Sequence, residues 1–120
     1  MLYVAAFLIA ALGLAHSYLG ERYILIRLFR RDNLPKLFGG TDFTVRTLRF
    51  AWHLTTVLAL GIAVLLLQIA QRSDTSEFAS TIGWTLLISS LLPLVHTRGR
   101  HLSWIVLSVA GALCLMSGAG

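Results

Sequence analysis

Four stretches of this chain contain no Asp, Glu, Lys or Arg: residues 1–20, 50–71, 78–97 and 101–120. They are 20, 22, 20 and 20 residues long and together take up 82 of the 120 residues. A helix rises about 1.5 Å per residue, so about 20 apolar residues cross the ~30 Å hydrocarbon layer of a bilayer. Lipid offers no partner to backbone N–H and C=O groups, which leaves helices and closed barrels as the only spanning structures. The apolar residues run on continuously instead of alternating, so a barrel is excluded. The pattern predicts an all-α fold: a four-helix transmembrane bundle of up-down topology, forming a single membrane domain over residues 1–120, with no length left for a second one.

Composition agrees. Apolar residues make up 57% of the chain and charged residues 12%, where a soluble domain carries about 25% charged. That balance excludes disorder, collagen, a disulfide scaffold and a coiled coil, and it argues against a soluble globular domain. Residues 1–20 lack the basic start of a secretory leader and exceed its short apolar core, so they read as a membrane helix. Cys114, the single cysteine, lies in an apolar run and reads as a small packing residue.

Orientation follows from the Lys/Arg distribution. The first loop region holds Arg22, Arg27, Arg30, Arg31, Lys36, Arg46 and Arg49, and the third holds Arg98 and Arg100. The second holds only Arg72, beside Asp74 and Glu77. Nine basic residues against one place loops one and three in the cytoplasm and both termini outside. The net charge of +5 is then a topology signal whose partner is the anionic headgroup layer of the bilayer. No pattern points to nucleic acid.

Residues 22–31 extend the first helix along the cytoplasmic surface. Ile24, Leu25, Leu28 and Phe29 fall on one arc of the wheel, and Arg27, Arg30 and Arg31 fall on the other, toward lipid headgroups. Asp32-Asn33-Leu34-Pro35 should stop this helix, because the residue before proline avoids the helical region. Gly39-Gly40 reads as a turn. Thr41 or Asp42 reads as the N-cap of the next helix, with Asp42 four residues before Arg46 as a favourable ion pair. Pro93 lies within the third span, where it frees the Ser89 carbonyl and should kink the helix.

Small residues recur along Ala6, Ala10, Gly13, Ser17 and Gly20 in the first span, and along Ala110, Cys114 and Gly118 in the fourth. Such stripes let membrane helices approach closely. They fit packing within the chain, a homo-oligomer, or docking onto a partner membrane protein. Tyr18, Tyr23, Trp52 and Trp104 gather at the inner boundary as an aromatic belt would.

The polar groups that need explaining are histidines. His16, His53, His96 and His101 come one from each span, and the alternating topology puts all four on the cytoplasmic side. His16 and His53 sit at matched depth, roughly 6–9 Å inside Arg22 and Arg49. Glu21 joins the layer, although on a uniform helix it lies about 80° to one side of Gly13 and His16 about 60° to the other. Imidazole and carboxylate together suit zinc, iron, manganese or copper. An ionisable residue in a membrane segment is a functional candidate by default. The candidate metal ligands are His16, His53 and His96, with Glu21 or His101 completing or orienting the site. Glu21 or Asp42 would accept a ligand's second N–H. Haem is a lesser alternative, with His53 and His96 as axial pair if His16 and His53 stand too close for a porphyrin. The plain alternative is that these histidines bond to backbone, lipid phosphate or Glu21.

Two other functions compete. Ser17, Glu21, Arg49, His53 and Thr56 would line the inner half of a transport path, but the outer half of the second span is wholly apolar, and four helices enclose little. A non-catalytic accessory subunit would use the small-residue stripes to dock. No catalytic nucleophile or base is specified.

Three segments, His16-Ser17-Tyr18-Leu19-Gly20-Glu21-Arg22, Arg49-Phe50-Ala51-Trp52-His53 and Arg100-His101-Leu102-Ser103-Trp104, carry a resemblance. In them the chain resembles a group of small bacterial four-helix integral membrane proteins that are themselves uncharacterised. The three blocks take up 17 of the 120 residues. It implies the same four-helix architecture and a multi-pass place in the bacterial inner (plasma) membrane, and it brings no activity with it.

Overall fold

The computed structural model describes residues 1–119, and over them the chain is four helices, the first two joined by the irregular segment 29–41 and the others by short turns. Helix α1 is Leu2–Leu28, α2 is Asp42–Gln71, α3 is Thr75–His96 and α4 is Ser103–Ala119. Helices α1, α2 and α3 are long and apolar enough to cross a membrane, and α4, with 17 residues, is a shorter apolar helix. The final residue of the expected fourth span, Gly120, lies outside the described residues.

Each helix packs on its neighbour in the chain: α1 on α2, α2 on α3, and α3 on α4. The body measures 51 × 31 × 14 Å, and the last figure is little more than the ~10–12 Å diameter of one helix. The four expected helices are therefore present as an open row, one helix thick, instead of being gathered around a shared axis. A single layer has little interior. Few hydrophobic side chains among the described residues are buried, Ala6, Leu25, Phe50 and Ala63, while Phe7, Trp84 and Val106 are 71%, 57% and 69% exposed. A surface of that kind is compatible with lipid, which gives apolar side chains no reason to hide.

The seams are made by small residues, and they answer what the stripes face. Gly13 of α1 lies against Thr56 and Ala59 of α2, and Gly61 of α2 against Thr85 of α3. Gly83 of α3 crosses Gly111 of α4 so closely that a Cβ on either would meet the other's carbonyl oxygen at 2.8–2.9 Å. Gly118 lies over Ser76 and Ala79. The α1 stripe is used within the chain at Gly13, Ser17 and Gly20, while in α4 the close crossing falls at Gly111, one residue off the expected stripe, of which Gly118 meets α3. Close approach of this kind accumulates dispersion contacts.

The helix ends follow local chemistry. Thr41 precedes α2 without a side-chain cap bond, and Asp42 holds Arg46 at 2.8 Å, the pair its four-residue spacing predicts. Gly39-Gly40 does form part of a turn, closed by paired backbone bonds between Leu37 and Gly40. Helix α1 ends at Leu28, before the expected stop at Asp32 to Pro35. Pro93 is buried in the last turns of α3, next to buried Ser89 and Ser90. The Thr97 hydroxyl donates to the Pro93 carbonyl and accepts the His101 N–H, which closes the turn into α4.

Candidate functional site

One stretch of α1 is not α-helical. From Gly20 to Leu25 the chain widens into a π-helix, and the Ile26 N–H reaches back to the Glu21 carbonyl. The widening falls where Trp52 of α2 presses into α1. The Trp52 indole N–H donates to the His16 carbonyl at 3.0 Å, alongside the Gly20 N–H that the same carbonyl accepts within the helix. The indole occupies the space a Cβ on Gly20 would need, with Nε1 only 2.0 Å from that position. Glycine at 20 is what allows the ring in.

At the start of the wide turn Glu21 reaches α2. Its Oε2 lies 2.9 Å from His53 Nε2, and its Oε1 lies 2.9 Å from Arg49 Nη2. On the far side of the imidazole, His53 Nδ1 is 2.8 Å from the Ser17 hydroxyl. Ser17 is 2.6 Å from the Thr56 hydroxyl, which donates to the Gly13 carbonyl at 2.9 Å. A hydroxyl has one proton, so the directions follow in turn. Thr56 gives its proton to Gly13 and accepts from Ser17, and Ser17 accepts from His53 Nδ1–H. The network puts a proton on Nδ1, so the 2.9 Å contact between Nε2 and the Glu21 oxygen needs a second proton between them, carried by the imidazole or by the carboxyl.

The side chains are partly open: Glu21 retains 31% of its exposure, Arg49 36% and His53 25%. Arg49 also lies over the Phe29 ring, 4.9 Å from its centre, which fixes the guanidinium from the other side. The hydroxyl chain stops at the Gly13 carbonyl. There Gly13 lies against Ala59, and farther along the two helices Ala6 and Ala63 are buried.

The other expected ligands stand elsewhere. The His16 ring is stacked on Trp52, centroids 4.4 Å apart and planes 5° apart, and its Nε2 is buried with no partner among the described residues. His96 turns Nδ1 to the Leu92 carbonyl of its own helix. His101 bonds Ser103 and packs against Phe43 and Phe50. Asp42 is taken up by Arg46 and orients no histidine. Of the five residues named as metal ligands, only Glu21 and His53 come together. Among the described residues no group of three or more His, Cys, Asp or Glu side chains is placed to hold a metal ion. Arg27, Arg30 and Arg31 lie at the end of α1 and in the turn after it.

The five residues read from the sequence as lining a path, Ser17, Glu21, Arg49, His53 and Thr56, do meet, but as one closed network between two helices. What the sequence did not disclose is the part of Trp52, read there as a belt residue. Its signal was present in the small stripe: Gly20 is the stripe position level with Trp52, four residues after the carbonyl that the indole takes.

Compared with protein-family models, curated proteins and solved structures, the chain matches none.

Proposed function

We propose that this is an integral membrane protein of the bacterial inner membrane, with up-down helices and both termini outside, that binds a divalent transition metal at an open site formed by Glu21 and His53. The observation that carries the reading is the 2.9 Å separation of Glu21 Oε2 and His53 Nε2. Ligand bonds of about 2.0–2.2 Å at right angles put neighbouring donor atoms about 3 Å apart, so this pair has the spacing of one edge of a coordination shell.

The surroundings support it. A metal-binding imidazole ordinarily gives its other N–H to a nearby acceptor, and a metal-binding carboxylate is itself hydrogen-bonded. Ser17 does the first for His53, and Arg49 does the second for Glu21. Two protein ligands leave the remaining positions to water or to a ligand brought by a partner. That favours an ion that is taken up and handed on over one held as a structural pin. Zinc, iron, manganese and copper all suit one imidazole and one carboxylate. Haem finds no support, since α1 and α2 are in direct contact at Gly13 and His96 belongs to a different cluster.

The test is elemental analysis and metal titration of untagged protein in detergent. Zinc or manganese should bind at one ion per chain. His53→Ala and Glu21→Gln should abolish that binding, while His96→Ala and His101→Ala should leave it in place. Equal binding by the wild type and His53→Ala, or none by either, overturns the reading.

A second reading, a non-catalytic accessory subunit, draws on the single-layer shape. A row 14 Å thick has two broad apolar faces, more than its own fold uses. A partner that co-purifies in stoichiometric amount from mild detergent would favour it. A purified chain that runs as a monomer with no companion would count against it.

A further inference from the structure

The charged side of the molecule contains a second cluster that shares no residue with the Glu21 site. A recess between the start of α2 and the α3–α4 turn is lined by Asp42, Phe43, Arg46, Thr97, Arg98 and Arg100. We infer that this recess is a binding site for a phosphate group, with Arg46, Arg98 and Arg100 as its cations.

Arg46 is held in place. Its Nε bonds both Asp42 oxygens at 2.8–2.9 Å, and its Nη1 donates to the His96 carbonyl at 3.1 Å, which ties α2 to the end of α3. The Asp42 carboxylate is thereby occupied and is the only acidic group lining the recess. Arg98 and Arg100 are exposed, and among the described residues no carboxylate lies within ion-pair distance of either. Three guanidinium groups against one carboxylate leave a net charge of two positive units around the recess.

The turn that presents them is itself fixed. Arg98 adopts a left-handed backbone conformation with φ of 53°, and Gly99 follows at 79°. The Gly99 N–H donates to the Leu94 carbonyl, and the Arg100 N–H to the Thr97 carbonyl. The turn therefore points two arginines from a rigid base, and a planar guanidinium fork matches phosphate oxygens in pairs. The recess holds about 30 Å³, room for an oxygen or two, so the rest of the ligand stays outside it. Phosphate carried on a lipid headgroup and free phosphate share this chemistry. Basic pockets at the cytoplasmic ends of membrane helices commonly take the former.

The test uses the full chain in nanodiscs. In phosphatidylcholine discs doped with phosphatidylglycerol, native mass spectrometry counts the anionic lipid retained. In pure phosphatidylcholine discs, calorimetry follows titration with inorganic phosphate. Saturable binding in the first arm alone identifies a headgroup site, and binding in the second identifies free phosphate. The paired substitution Arg98→Asn with Arg100→Gln should weaken whichever is seen by roughly fivefold for each charge removed. Asparagine is chosen at 98 because it tolerates the left-handed conformation. Arg30→Gln with Arg31→Gln removes the same charge from a different part of the basic surface and should change binding far less. No binding in either arm overturns the inference. So does equal loss from the two paired substitutions, which would mark general attraction to a basic surface.

Discussion

The Glu21 carboxylate meets His53 across the α1–α2 seam at the start of the π turn of α1, one residue after the glycine on which Trp52 is seated. The contact joins residues 32 apart in sequence and is reinforced on both sides, by Arg49 and by Ser17. A double-mutant cycle of Glu21→Gln and His53→Gln should therefore show coupling. Polar pairs between membrane helices average about 0.6 kcal/mol and reach about 1.7 kcal/mol. Partial exposure of both side chains places this pair below the top of that range. Reversible unfolding in mixed micelles measures it, and additive single effects would mean that the two side chains do not sense each other in solution.

The hydroxyl relay makes a separable prediction about metal. Ser17→Ala removes the acceptor that fixes His53 Nδ1–H and touches no proposed ligand. Loss of such an orienting partner lowers metal affinity about 10–100-fold. Thr56→Val should act in the same direction and more weakly, because it works through Ser17, and Thr56→Ser should restore the wild-type affinity. A zinc titration with a competing chelator reads all three. An affinity unchanged in Ser17→Ala would show that the relay plays no part in setting the imidazole.

The four helices were legible because charge is the costliest thing to place in lipid and its absence is easy to see in a sequence. The internal use of the small-residue stripes was half legible: their spacing marked the seams but not what they faced. The Asp42–Arg46 pair followed from four-residue spacing on one helix. What stayed hidden came from contacts between helices. A uniform wheel placed Glu21 and His16 on opposite flanks of the stripe, which is sound for an unbroken helix. The structure keeps the two apart, His16 on Trp52 and Glu21 on His53. What the wheel could not show is the widening after Gly20 and the tryptophan, 32 residues downstream, that packs on that glycine. The wheel also could not show that His16 spends its ring on Trp52, nor that the helices lie in a row. A row and a closed bundle share the same apolar spans and differ only in whether α1 meets α4.

If Gly20 is what admits the indole, then Gly20→Ala should be costly out of proportion to one methyl group. Its Cβ would fall within 2.0–2.6 Å of three indole ring atoms. The ring is pinned by His16 on one face and by its own N–H, so it has little room to withdraw. Overpacking of this kind costs about 1–3 kcal/mol. Gly40→Ala is the control, since nothing lies within 4 Å of its Cβ position. It should stay within about 0.5 kcal/mol of the wild type. Tryptophan fluorescence should shift in Gly20→Ala and not in Gly40→Ala. Equal stability of the two variants would mean that Trp52 is not seated against Gly20.

The sidedness of the chain can be tested with its own chemistry, because one cysteine is all it contains. Replacing Cys114 with alanine leaves a background free of thiols. Ser76→Cys then puts a thiol at the exposed start of α3, and Lys36→Cys puts one in the exposed segment between α1 and α2. Nine basic residues on the α1–α2 and α3–α4 side against one on the other predict that Lys36 faces the cytoplasm. A membrane-impermeant maleimide applied to intact cells should label Ser76→Cys and spare Lys36→Cys until the cells are opened. The reverse pattern would invert the orientation and put the Glu21–His53 pair on the outer side, where its metal would come from the surroundings. Labelling of both without lysis would mean that these helices do not separate two compartments, and the reading of the row as a membrane layer would fall with it.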